Sequence, residues 1–434
     1  MMRLFSTQGQ SPDVSLEEAI FQGLPPDNGL YVPHSIPALP ADFFATIDSL
    51  SLTEIAFEVS KVLLEGEIST DELWQLVETA FPFEAPVVPL EPDTYVLELF
   101  HGPSMAFKDF GARFMAGLMG YYLRRAQREI HILVATSGDT GGAVAQGFFQ
   151  TPGIRVTILY PSGKVSAIQE KQLTTLGGNV RALEVAGTFD DCQRLVKQAF
   201  LDADLRARFH LASANSINIS RLIPQSFYYF NAYARLKHLG KPLVFSVPSG
   251  NFGNLSAGVL AQRMGLPVRQ FVAATNANHA VPTYLQTGTF APEPSVETIS
   301  NAMDVGNPSN FPRLTRWSGG AWEATRQLLT GYWYDDVQTR AAMQWVYEAT
   351  GYVMCPHTAV AFLGLQQYRQ EQAEPFTGVL LSTAHYAKFL DVVEETLGTE
   401  VPIPERLAAL LDAPKEARAM PADFAAFKVY LLEG

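Results

Sequence analysis

The chain is poor in cysteine, in positive charge and in long apolar runs. Its 434 residues include only two cysteines, Cys192 and Cys355. That is too few for the disulfide framework of a small secreted scaffold. Lys and Arg number 31 against 44 Asp and Glu, for a formal charge of −13. A nucleic-acid backbone needs a basic footprint, and an anionic membrane surface needs basic clusters; this composition provides neither. No run approaches the roughly 18 apolar residues of a spanning helix. The opening MMRLFSTQGQ has no apolar core of signal-peptide length, so a cytoplasmic protein is expected. Heptads, repeats and low-complexity tracts are also absent from the pattern. The histidines His101, His279, His357 and His385 are too dispersed to suggest a metal site, and none is expected.

What is present is apolar bulk: 47% hydrophobic residues and 17% charged, enough for two or three domains with sizeable cores. Residues 1–95 read as a mainly helical N-terminal domain. LTEIAFEVSKVLLEG and STDELWQLVETAF carry helical periodicity, and Ser69 and Thr70 ahead of Asp71 and Glu72 mark a helix start. From 96 to about 400, strand-like and helix-like runs alternate. EIHILVAT, IRVTILYP, PLVFSVPSG and VRQFVAATN read as strands; TGGAVAQGFFQ, FDDCQRLVKQAFLD and NLSAGVLAQRMG read as helices. Such alternation predicts βαβ crossovers and an α/β fold with mostly parallel sheets. Residues 401–434 read as a C-terminal helical extension. In open α/β sheets, ligands sit at the carboxyl ends of the strands.

Several post-strand loops carry chemistry. SGNFGN places Gly250, Asn251, Phe252, Gly253 and Asn254 between a strand and a helix. Glycines there permit positive φ and close backbone approach, and successive N–H groups ahead of a helix make an anion site. No Gly-Lys-Ser/Thr follows, so this is not a nucleotide P-loop. The plain alternative is a tight turn. TSGDTGGA offers Ser137, Asp139 and Thr140, able to hold a carboxylate, with an N-cap at Ser137 or Asp139 as the plain alternative. Lys164 in YPSGKVSAIQEKQL, and Asn215 and Arg221 in SANSINISRLIPQ, could hold a second anion if one cleft gathers them; singly, cations are mostly solvated. Lys108 lies in HGPSMAFKDFGARFM between Phe107 and Asp109. It is either a solvated cation on an apolar stem or an amine whose desolvation favours the neutral, nucleophilic form. An amine and a phosphate cradle on one scaffold suit a single ligand, pyridoxal 5′-phosphate.

LFHGPSMAFKDFGARF, TSGDTGGA, SGNFGN, NSINISRLIPQ and NAMDVGNPSNF together resemble the threonine synthase family, fold-type II pyridoxal-phosphate enzymes like the tryptophan synthase β-subunit. EEAIFQGLPPDNGLYVP, PHTAVA and LLSTAHYAKF extend the resemblance over nearly the whole chain. It implies two open, twisted, mostly parallel sheets flanked by helices, the smaller subdomain lying around 110–220. It implies Lys108 as the Schiff-base lysine and catalytic base, with residues 250–254 on the cofactor phosphate. Asp139 would lie near the phenolic oxygen, where relatives often carry Asn, and Thr383 at the pyridine nitrogen. Ser137 and Thr140 would take the substrate carboxylate, and Lys164, Asn215 and Arg221 the substrate phosphate. The implied reaction is O-phospho-L-homoserine and water to L-threonine and phosphate, by a monomer or homodimer. Alternatives are a lyase giving 2-oxobutanoate and a cofactor-binding regulatory protein without turnover. Cys355 stands where an acidic residue is expected, Gly142 where alanine is commoner, and Ser104-Met105 where Thr-Leu is frequent.

Overall fold

IRVTILYP forms the strand Ile154–Pro161, and PLVFSVPSG the strand Leu243–Pro248, in a computed structural model that describes residues 2–433. Every residue of Leu243–Pro248, Ile130–Ala135 and Thr377–Ser382 is buried. Continuous burial is why these runs are β-branched and aliphatic rather than alternating: helices cover both faces.

Two sheets result. The six-stranded sheet has the spatial order Leu329–Trp333, Val268–Thr275, Leu243–Pro248, Thr377–Ser382, Thr94–Glu98, Val87–Glu91. All its pairings are parallel except the last, where Val87–Glu91 closes one edge antiparallel. The five-stranded sheet runs Ala417–Pro421, Val180–Ala186, Ile154–Pro161, Ile130–Ala135, Leu211–Ala212, and is parallel throughout.

Two segments differ from the sequence reading. The N-terminal region has the expected helices Leu52–Leu63 and Thr70–Ala80, the second capped by Ser69, whose side chain accepts the Glu72 N–H. It also holds a three-stranded antiparallel sheet of Arg3–Ser6, Val14–Ser15 and Tyr31–Pro33. Strands of two to four residues are too short to print a periodicity. The C-terminal segment is not wholly helical: between Glu405–Leu411 and Phe424–Glu433, the strand Ala417–Pro421 adds an edge to the five-stranded sheet. Its residues are mostly exposed, so its strand character comes from pairing with Val180–Ala186 rather than from a hydrophobic pattern.

The helix Lys108–Ala126 is central. Most of its residues are buried, and Phe110 and Phe114 pack with Phe81 at ring separations of 5.5 and 6.2 Å, while Phe227 meets both Phe81 and Phe114 edge-on. This aromatic cluster fastens the N-terminal helices to the base of Lys108; removing Phe110 to Ala would cost about 3–5 kcal/mol. No helix among the described residues is long and apolar enough to cross a membrane.

Candidate active site

Three neighbouring parallel strands deliver reactive segments to one edge. Leu243–Pro248 runs into residues 249–254, Thr377–Ser382 into Thr383, and Thr94–Glu98 into the segment leading to Lys108. Ser246 pairs with Leu380 and Ser382 with Glu98, so their carboxyl ends are neighbours. The Phe107 N–H donates to the Thr383 carbonyl at 2.8 Å, and Ala106 bridges to Ala384. Lys108 and Thr383, distant in sequence, are thereby held together by backbone.

The second sheet contributes Asp139. The helix Asp139–Phe148 begins after Gly138, which occupies the cap position with φ 136 and no side-chain cap. The plain alternative of an N-cap at Ser137 or Asp139 is therefore set aside, since Gly138 holds the cap position. Thr136 replaces the cap: its Oγ1 accepts the N–H groups of Gly138 and Gly141 at 3.0 and 2.8 Å. A Cβ on Gly138 would stand 2.6 Å from the Gln169 side chain, so both φ and space call for glycine. Relieved of capping, the Asp139 carboxylate is free for other partners.

Those partners are two lysines. Oδ1 of Asp139 lies 2.7 Å from Lys388 Nζ and accepts the Gln169 side-chain amide at 3.0 Å. Oδ2 lies 3.8 Å from Lys108 Nζ. Burial works against the charge of Asp139, but Lys388 and then Lys108 outweigh it and hold the carboxyl well below the usual carboxylate range. Lys108 is pushed down by burial; Asp139 opposes this, and the positive charges of Lys388 and Arg221 reinforce it. Its side chain keeps 17% exposure while that of Lys388 has none, so Lys108 is the amine a ligand can reach.

The loop at 249–254 is shaped differently from expectation. Gly250 and Gly253 do not supply the positive φ; Phe252 does, at φ 59, directly ahead of the helix Gly253–Arg263. Gly250 is required by space, since its Cβ would fall 2.7 Å from Met303 Cα. Asn251 braces the loop from both ends of its amide, donating to Ser216 Oγ at 2.8 Å and accepting the Ser309 N–H at 2.5 Å. Beside Gly253 lies the buried Asn310 Nδ2, which has no partner, 3.5 Å from where a Gly253 Cβ would stand. A buried donor without acceptor next to a helix N-terminus fits an anionic phosphate. The chain thus offers a reachable amine and an anion cradle, the two ends of pyridoxal phosphate.

The remaining candidates scatter. Thr383 is buried, Thr140 and Asn215 half-buried, Ser137 and Lys164 exposed. Lys164 joins no ion pair among the described residues. Asn215 precedes Ser216, the partner of Asn251, so its loop borders the 249–254 loop. Arg221 is buried: its Nη1 donates to the Ala214 carbonyl and its Nε has no partner. Burial lowers it to about 10, leaving it cationic. Met105, three residues before Lys108, adopts φ 55 and packs against Ile168, Ala387 and Leu407. Cys355 is a buried thiol pushed up by burial; its Sγ is 3.3 Å from Thr358 Oγ1, which meets Ser382 Oγ at 2.8 Å.

Sequence reasoning gave no site role to Lys388, Asn310 or His357. His357 is buried, and burial lowers it to about 4. Its Nε2 accepts the Ala302 N–H at 3.2 Å, leaving Nδ1 unpartnered. All three lie inside stretches quoted for the resemblance, yet nothing local marks them.

The pyridoxal-phosphate dependent enzyme family matches residues 84–383, which hold the lysine, the acid and the loop just described. The protein is thus a pyridoxal-phosphate-dependent enzyme. Two further families match, the threonine synthase N terminus over 3–81, ahead of that stretch, and the threonine synthase C-terminal region over 358–431, overlapping its end. Threonine synthase of Haemophilus influenzae is 44% identical over 436 residues, covering all of both chains, and that of Escherichia coli is 43% identical over 99% of each. The crystal structure of the Escherichia coli threonine synthase superposes with a TM-score of 0.91 at 42% identity over the whole of both chains. A pyridoxal-phosphate-bound threonine synthase from Brucella melitensis gives 0.95 at 33% identity, covering 100% of this chain and 99% of that one. The chain belongs to the threonine synthase family.

Proposed function

We propose that the protein converts O-phospho-L-homoserine and water to L-threonine and phosphate, with Lys108 as the residue that both carries the cofactor and moves the protons. The observation that carries this reading is the placement of Lys108: partly reachable, pushed toward its neutral form by burial, 3.8 Å from Asp139 and backbone-linked to Thr383. Pyridoxal phosphate, when bound, supplies an aldehyde for amines and a conjugated ring that accepts the electrons of the Cα–H bond. Residues 250–254 and Asn310 would hold its phosphate. Thr383, a neutral hydroxyl, would serve the pyridine nitrogen without protonating it, which restrains transamination. Asp139 would serve the phenolic oxygen.

The Lys108 amine would be the general base: it would take the Cα proton and, having passed that proton on, take one from Cβ, allowing the γ-phosphate to leave. Of the two protons taken and the one released as water adds its oxygen at Cβ, one goes to Cγ, which becomes the methyl group, one back to Cα from the same amine, and one to the departing phosphate. Ser137 and Thr140 would orient the substrate carboxylate. Lys164, Asn215 and Arg221 would receive the substrate phosphate, with the charge of Arg221 already acting on Lys108.

The test is incubation of the purified protein with O-phospho-L-homoserine and identification of the products. Threonine and phosphate in equal amounts are expected. Accumulation of 2-oxobutanoate would replace the reading by a lyase, and bound cofactor without turnover would replace it by a regulatory protein.

A further inference from the structure

Lys388 is buried with no exposed side-chain surface, an unusual position for an ammonium group. It is anchored at both ends. Its backbone lies in the short helical turn Tyr386–Phe389, and its carbonyl accepts the Ser166 hydroxyl at 3.1 Å. Its Nζ donates to the Ser104 carbonyl at 2.8 Å and reaches Asp139 Oδ1 at 2.7 Å. Ser104 is fixed in turn, its N–H on Asp109 Oδ2 at 2.9 Å and its carbonyl also accepting the Gln172 amide at 2.8 Å. Lys388 is thus held against Asp139 by a second partner, whereas Lys108 stands about an ångström farther off, at 3.8 Å.

We infer that Lys388 is a positioning residue that takes up the negative charge of Asp139, so that Lys108 is not held as Asp139's ammonium partner and stays available as a free amine. The inference rests on the assignment of Lys108 as the cofactor-bearing lysine. Its reason is electrostatic. A carboxylate as close as Asp139, if left uncompensated in a buried site, would draw the nearest lysine into an ion pair and keep it protonated. With Lys388 present, one anion faces two amines and the buried one satisfies it. An aspartate can then serve beside the cofactor without disabling the nucleophile.

The other charged and titratable groups facing this pair are Arg221 from the helix Ile219–Leu222, Asp109 beside Lys108, His385 three residues before Lys388, and His357 and Cys355 at the start of the helix Pro356–Glu371. His357 and His385 are each lowered to about 4 by burial and Asp109 is raised to about 6, so none of them changes charge above neutrality. Arg221 is cationic through most of that range and contributes equally to each variant compared.

The test is capture of pyridoxal 5′-phosphate by full-length protein stripped of cofactor, followed between pH 7 and 10 by absorbance and by borohydride trapping on Lys108. In Lys388→Met, the pH midpoint of capture should rise by about one unit or more, the size of shift a nearby opposite charge produces. In Asp139→Asn/Lys388→Met, which lacks both charges, it should return toward wild type. Asp139→Asn alone should have a lower midpoint than that double variant, and this comparison serves if Lys388→Met alone does not fold. An unchanged midpoint in Lys388→Met, or equal midpoints in Asp139→Asn and the double variant, would overturn the inference. Turnover of O-phospho-L-homoserine by the wild-type protein is measured alongside. It tests the reaction, while the capture midpoint tests Lys388, so either can fail without the other.

Discussion

Gly111 and Arg221 touch so closely that a Cβ on Gly111 would lie 2.6 Å from Arg221 Nε and 2.9 Å from its carbonyl oxygen. Gly111 is one helical turn beyond Lys108, and Arg221 bonds the Ala214 carbonyl just before the Asn215–Ser216 loop. Ser216 then meets Asn251. The contact thus links the helix that begins at Lys108 to the 249–254 loop.

Replacing Gly111 with Ala must push against backbone as well as side chain, and should lower stability by about 1–3 kcal/mol. Thermal melts check this. Arg221→Ala should lower kcat/KM for O-phospho-L-homoserine roughly ten- to a hundredfold, the loss of a charged hydrogen bond of about 1.5–3 kcal/mol. Steady-state kinetics at wild-type level combined with a lower melting temperature would leave Arg221 a brace only.

Gly250 and Gly253 should respond differently to alanine. At Gly253 an added Cβ meets only ordinary contacts, the nearest at 3.5 Å, and the residue opens a helix where alanine is favoured. Gly253→Ala should fold normally yet bind pyridoxal phosphate more weakly, because the methyl group fills the cradle. At Gly250 the Cβ meets Met303 Cα at 2.7 Å, so Gly250→Ala should melt earlier even without cofactor. Cofactor titrations and melts of both variants decide; equal behaviour would refute the distinction.

Borohydride reduction of the holoenzyme should fix the cofactor to Lys108 and not to Lys388, Lys164 or Lys171. Lys388 is closed off and Lys108 is not. Peptide mass mapping reads this directly. Lys108→Ala should abolish turnover, since it removes the residue proposed as both covalent anchor and proton carrier.

Asp109 gives a pH signature. Its Oδ2 accepts the Ser104 N–H, its Oδ1 has no partner, and burial raises it from 3.8 to about 6. The fold favours its protonated form, so this contribution is full below about 4 and is lost as the pH rises through about 6. Asp109→Asn cannot ionise. Its stability relative to wild type should therefore climb between these values, by about 3 kcal/mol in all, and then stay level. Denaturant curves at pH 4, 5, 6 and 7.5 would expose the trend, and a difference independent of pH would contradict it.

Local chemistry determined much of this protein. Buried parallel strands need unbroken β-branched and aliphatic runs, so IRVTILYP and VRQFVAATN could be read as Ile154–Pro161 and Val268–Thr275. Loops after such strands need Gly, Ser and Asn, which placed the 250–254 and 137–140 segments at the carboxyl edges. Side-chain caps are equally local, and Ser69 was legible because its partner lies three residues away. The tertiary structure decided what depends on distant partners. Ala417–Pro421 is a strand because Val180–Ala186 offers it an edge. Phe252 rather than a glycine takes the left-handed turn, where it packs against Phe311. Lys388 is 284 residues from Ser104, and no local pattern distinguishes a buried lysine from a solvated one. Its meaning arises when two sheets bring one carboxylate between two amines, because electrostatic energy depends on distance and desolvation in space, and neither is written in the order of residues along the chain.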